Sequence, residues 1–245
     1  MVTISRVTLL LGLFFLTNLS CSNPFNPFTK QDLELTPDDY EEAELMSLCL
    51  SGELRAPDDL SEKVLLSLAS VRSAFGDEFE TINDLKFHSP WEPGCIIIGF
   101  DTETEKKVAN GEYHAWDDLN AEYQVTRIEL FRFGGAVLYF KDKLHPRRLA
   151  ELYSVLPGVK YVEPNTFGGD FPNVYPRLTA NGITYLFRNA WGDCPAGCIY
   201  SEFWYFFVLG WEKPKFIGYW APHKKPSVPP WWNEAKRNID QYRKW

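Results

Sequence analysis

Residues 91 to 165 constrain the fold most, because the hydrophobic period changes there in a defined order. "CIIIGFD", from Cys95, is an apolar run of strand length. "TETEKKVANGEYHAWDDLNAEY" is polar enough for a helix, with Gly111 as a break. "VTRIELFR" and "GAVLYFK" alternate with a period of two and are joined by the short "FGG". "LHPRRLAELYSVL" has the spacing of an amphipathic helix, and "GVKYVEPN" reads as a last strand. The predicted order is β-α-β-β-α-β, which packs two helices on one face of a four-stranded sheet.

The flanks carry their own signals. In "TPDDYEEAELMSLCLSG", Thr36 is placed to cap a helix, Pro37 suits its first position and Gly52 stops it. "APDDLSEKVLLSLASVRSAFG" begins in the same way and carries Leu60, Val64, Leu65, Leu68, Val71 and Phe75 at helical spacing, with Gly76 closing it. After Asn165, "TFGGDFPNVYPRLTANG" reads as a loop. "ITYLFRNAW", "IYSEFWYFFVL" and "KFIGYW" read as three strands of a meander, followed by the Pro-rich "APHKKPSVPP" and a short helix in "WWNEAKRNIDQYRKW". The expected class is α+β. A helical extension (36–90) precedes a ferredoxin-like split βαββαβ sandwich (91–165). An antiparallel meander (166–222) and a linker with a short helix (223–245) follow.

The N-terminus reads as an export signal. Arg6 supplies a positive charge and Val7 to Leu16 an apolar run too short to span a bilayer. Residues 1–20 are therefore expected to be a signal peptide, and 21–35, rich in Pro and Asn, a tether. In "TNLSCS", Ser20 and Cys21 resemble a bacterial lipoprotein signal, in which a small residue precedes a cysteine that becomes diacylated; Asn18 stands where that family usually has leucine. The resemblance implies lipidation at Cys21 and a membrane partner reached through that lipid. The alternative is an ordinary secreted protein with Cys21 as an odd thiol. Either way the chain is expected to be exported: lipid-anchored in the cell envelope, or otherwise secreted or periplasmic. The net charge of -8 offers no basic field for nucleic acid.

In an oxidising compartment the other four cysteines favour disulfides over metal thiolates. Of three possible pairings, Cys194 with Cys198 and Cys49 with Cys95 is favoured. Cys194 and Cys198 lack the second ligand pair of a zinc site, and three residues separate them where a redox motif has two. A clasp on a hairpin is the expectation, stabilising the fold by about 2 kcal/mol on the loop-entropy model. No metal and no cofactor is expected.

The strand "EFWYFFV" places Phe203, Tyr205 and Phe207 on one face and Trp204, Phe206 and Val208 on the other. Apolar residues on both faces mean burial on both sides, or one face kept for a partner. Trp191, Trp204, Trp211 and Trp220 are the candidate ligand-binding residues of such a face, for a protein, peptide or glycan. No nucleophile elbow, P-loop, H-E-x-x-H or dinucleotide motif occurs. His88, His114, His145 and His223 stand singly, so no catalytic residue is nominated. An enzyme of unfamiliar type would need a cleft joining one of them to acids such as Asp101 or Glu163.

Residues 116–165, ending in Leu156-Pro157-Gly158-Val159-Lys160-Tyr161-Val162-Glu163-Pro164-Asn165, resemble the inhibitory propeptide domain of subtilisin-like proteases. That resemblance implies a protease inhibitor or chaperone. No protease domain follows here, and the chain continues past the segment that would enter a protease cleft. The leading expectation is a non-enzymatic envelope lipoprotein that binds a partner, with the inhibitor as its alternative.

Overall fold

The computed structural model describes residues 33–245 apart from Phe133 and Trp211. The expected signal peptide, Cys21, most of the tether and Trp211 lie outside the described residues. Those residues form a mixed α+β protein with two antiparallel four-stranded sheets and seven helices.

Helix α1 (Pro37–Ser51) starts where the sequence predicts. Thr36 and Asp39 form a reciprocal capping box, and Gly52 ends the helix at φ 62°, a left-handed conformation that glycine adopts at little cost. Helices α2 (Asp58–Phe75) and α3 (Thr81–Asp84) follow. Arg72 of α2 donates to both carboxylate oxygens of buried Glu42 on α1, at 2.8 and 2.9 Å, and to the Leu85 carbonyl at 2.7 Å. That pair sets the register of the two helices.

The first sheet is built from β1 (Trp91–Phe100), β2 (Val125–Leu130), β3 (Ala136–Phe140) and β4 (Val159–Thr166). Helices α4 (Thr102–Ala109) and α5 (Asp117–Glu122) lie between β1 and β2, and α6 (Pro146–Tyr153) between β3 and β4. The strand order is β2-β3-β1-β4, with every pairing antiparallel. Ile96, Ile98 and Phe100 of β1 pack with Leu138, Val108, Leu149 and Tyr153 in one core. The alternate residues Cys95, Ile97 and Gly99 point to the other face, opposite Tyr139, Val137 and Tyr161.

The second sheet runs β5 (Asn173–Thr179), β6 (Gly182–Trp191), β7 (Tyr200–Val208) and β8 (Lys215–Trp220), in that order. The segment read as a loop after Asn165 thus contains a fourth strand. Pro176 disguised it, yet β5 is an edge strand, where a missing N–H is tolerated.

Both faces of this sheet are covered. Val174, Ile183, Tyr185, Phe187, Trp204, Phe206 and Val208 pack under α1 and α2, around Met46, Leu48, Val64 and Leu68. Tyr175, Leu186, Phe203, Tyr205 and Trp220 pack under α7 (Trp232–Tyr242), against Ala235, Trp231, Trp232 and Ile239. The two-sided aromatic strand is therefore the middle layer of a helix–sheet–helix stack. Two polar groups tie the layers. Tyr185 Oη lies 2.6 Å from Ser67 Oγ, and buried Asn238 of α7 donates to the carbonyls of Tyr175 and Thr184, at 2.7 and 3.1 Å.

The first and last thirds of the chain thus share one core, and residues 91–166 leave and re-enter it. At that junction the His145 N–H donates to the Leu54 carbonyl at 3.0 Å, and the imidazole packs on Trp91 with ring centres 4.7 Å apart.

Candidate functional site

The β6–β7 hairpin reaches past the helices that cover its base. Tyr200, Glu202 and Trp204 follow one another on one face of β7, and Trp191 of β6 pairs with Tyr200. Trp191 and Tyr200 stack at 5.8 Å between ring centres. His223, from the segment after β8, stands edge-on to both, at 5.2 and 5.6 Å. Tyr219 of β8 packs on Trp204 at 5.3 Å. Trp191, Tyr200 and Tyr219 remain 38%, 44% and 42% exposed, so the cluster presents ring surface to solvent.

Glu202 supplies its charge. Burial alone would raise its pKa, but hydrogen bonds from Lys224 and Tyr219 and the charges of Lys224 and His223 hold it below the ordinary glutamate value. The Lys224 ammonium donates to it at 2.6 Å, and His223 Nε2 lies 4.0 Å away. The result is an aromatic platform beside an anion that keeps its charge into mildly acidic solution.

The hairpin is braced from its other side. Cys194 and Cys198 are bonded across the loop. Asp170 accepts from Arg188 at 2.5 and 2.7 Å and from the Cys198 N–H at 3.1 Å, while its own N–H donates to the Cys194 carbonyl at 2.9 Å. The Arg188 hydrogen bond is the chief reason the Asp170 carboxyl lies below its usual pKa. This brace holds the ends of β6 and β7, from which Trp191 and Tyr200 project.

Of the four nominated tryptophans, the structure brings Trp191 and Trp204 to the same sheet face. Trp204 is buried there and serves as the floor on which Tyr219 rests. Trp220 faces the opposite side, packed between Phe203 and Trp232, with its indole N–H on the Lys225 carbonyl at 2.8 Å. A single groove of all four is therefore not formed, because Trp204 and Trp220 serve different cores. Tyr200 and Glu202 were missed in the sequence, and His223 stood out there only as a lone histidine. Counting back in twos from Trp204 would have found Tyr200 and Glu202, whereas His223 arrives from a linker with no periodic signal.

The expected Cys49–Cys95 bridge is not formed, and both are buried free thiols. Cys49 lies in the core under α1, against Ser89, and Cys95 sits in the first sheet near Glu92 and Asn165. The two belong to different layers. Burial pushes the Cys49 thiol up, and burial with the Glu92 charge pushes Cys95 up to about 12.

His145 caps α6 from its ring nitrogen and is buried. Asp101 caps α4 by accepting from the Thr104 N–H at 2.7 Å, and Glu163 pairs with Ile97 on β1. Among the described residues, no group of three His, Cys, Asp or Glu side chains comes together as a metal site. None of their helices is long and apolar enough to cross a membrane. A recess of about 440 Å³ lies beside Asp39 and Arg72, whose guanidinium is committed to Glu42 and Leu85. Comparisons with protein-family models, curated proteins and solved structures found no match.

Proposed function

We propose that this chain is a non-enzymatic binding protein of the cell envelope, exported by residues 1–20, anchored through a lipid on Cys21, and taking its ligand on the platform of Trp191, Tyr200 and Tyr219. The observation that carries the binding site is the exposed Trp191–Tyr200 stack beside the ionised Glu202. Flat ring surface next to a hydrogen-bond acceptor suits a sugar ring, whose C–H face packs on an aromatic while its hydroxyls bond the acid. The first ligand class to test is therefore a glycan. In the same reading, residues 91–166 form a ferredoxin-like sandwich that acts as scaffold. The β2-β3-β1-β4 order and the placing of α4, α5 and α6 support it.

Equilibrium binding of the purified protein to soluble cell-envelope glycan fragments tests the site. Trp191→Ala and Tyr200→Ala should each weaken binding by about tenfold or more while melting close to the parent. Glycan binding that ignores both substitutions would overturn the assignment. The inhibitor alternative draws on the run α5, β2, β3, α6, β4, which spans the residues that resemble a protease propeptide domain. Dose-dependent inhibition of subtilisin-like proteases, without cleavage of the protein, would favour it.

A further inference from the structure

We propose that the outer edge of β2 pairs with the β2 edge of a second copy, antiparallel about a two-fold axis at Ile128. The two sheets have four edge strands, β2, β4, β5 and β8. Natural edges are blunted by proline, bulges or charge to prevent pairing. β4 carries Pro164 and β5 carries Pro176, each lacking a backbone donor. β8 bulges at Ile217, where its register against β7 shifts between Tyr205 and Phe206. β2 bulges only at its start, between Val125 and Arg127, and runs regularly from Arg127 to Leu130. Those four residues are all exposed, with Ile128 at 38% and Leu130 at 52%. Among the described residues, no strand lies outside β2 in its sheet.

The backbone parity of this edge suits self-pairing. The Phe131 N–H donates to the Gly135 carbonyl, and the pairing continues through Glu129 opposite Val137 and Arg127 opposite Tyr139. Hydrogen-bonded pairs alternate along an antiparallel ladder, so Arg127, Glu129 and Phe131 spend their backbone groups on β3 while those of Ile128 and Leu130 point outward. A second β2 can therefore set Ile128 against Ile128 of its copy as a hydrogen-bonded pair. In that register Arg127 of each copy faces Glu129 of the other.

Charge then selects this register. Arg127 and Glu129 occupy the same face, paired with each other within one strand, and Arg127 also lies over the Tyr139 ring at 3.7 Å. Placed antiparallel, the two strands alternate Arg, Glu, Arg, Glu around the axis, and both cross-strand pairs are attractive. On the opposite face, the exposed Ile128 side chains meet across the axis. The charges that would blunt this edge against other strands are complementary to its own copy. A two-fold contact of this kind is closed and does not propagate into a fibre.

Sedimentation velocity over a range reaching high micromolar concentration tests the dimer. The parent should show a concentration-dependent monomer–dimer equilibrium. Arg127→Glu sets like charges opposite each other and should weaken the dimer by about tenfold or more. The double reversal Arg127→Glu, Glu129→Arg should restore it, which a general change in solubility would not do. Ile128→Cys should form an intermolecular disulfide under glutathione buffer, since opposed Cα atoms of such a pair lie about 5.5 Å apart. Leu130→Cys should not, being displaced from its own copy. A parent that stays monomeric throughout, a dimer indifferent to Arg127→Glu, or cross-linking through position 130 in place of 128 would each overturn the proposal.

Discussion

His145 makes a definite demand on stability as a function of pH. It is 4% exposed with its ring on Trp91, and after burial itself the charges of Arg148 and Arg147 oppose its protonation while that of Glu151 favours it. Burial is the largest cause that carries its pKa from 6.5 to about 4. In the unfolded chain the imidazole takes up its proton near 6.5, so between that value and 4 the unfolded state binds more protons than the folded one. Stability is fully present above 6.5, declines as the pH falls, and stops declining on this account once the folded protein protonates near 4. The gap between the two values converts to about 3 kcal/mol, at roughly 1.4 kcal/mol per unit. Urea unfolding at a series of pH values from 7.5 to 4 measures this directly. His145→Asn keeps an N-cap acceptor for α6 but cannot titrate, so its stability should run flatter across the same window. Paired carboxylates such as Asp170 act lower, from the ordinary aspartate range downward, and do not imitate the effect. Parallel pH curves for parent and variant would refute the reasoning.

Other expected outcomes follow from packing. Asn238→Ala leaves the Tyr175 and Thr184 carbonyls without their side-chain donor and should cost about 2 kcal/mol in chemical denaturation. Phe206→Ala opens the core under α1 and α2, where Phe206 is fully buried, and should cost about 3 to 5 kcal/mol in the same assay. Reducing Cys194–Cys198 should lower stability by about 2 kcal/mol, read as a lower melting temperature in reductant. Cys49 and Cys95 should resist alkylation at neutral pH until the protein is unfolded, as mass spectrometry would show.

The start and stop of α1 were legible because their chemistry is local, whereas α2 begins without a side-chain cap and leaves through a right-handed Gly76. Thr36, Pro37 and Gly52 bounded α1 without reference to anything distant, β2 and β3 announced themselves by alternation, and β1 showed as an apolar run of strand length. β5 was not legible, because a proline inside a strand is informative only once its edge position is known. The two-sided burial of β7 was visible as an alternative, but nothing in its own sequence said that α1, α2 and α7 would supply the two covers. The candidate site was half legible. Trp191 and Trp204 stood out by residue type, while Trp220, next to Tyr219, points the other way because neighbouring residues on a strand face opposite sides. Asp170 and Arg188 are 18 residues apart and carry no motif, so their brace emerges only when β6 folds back beside the loop. The Cys49–Cys95 pairing failed because an even count of thiols says nothing about which layers they occupy.

The most direct test of the binding account is a nitrogen-15 NMR titration of the tryptophan indoles with soluble cell-envelope glycan fragments. The Trp191 indole resonance should shift in a saturable way, while that of Trp220, buried and bonded to the Lys225 carbonyl, should stay in place. Saturable binding that leaves Trp191 unmoved, or no response from any indole, would contradict the central claim that the open end of the second sheet is the ligand platform.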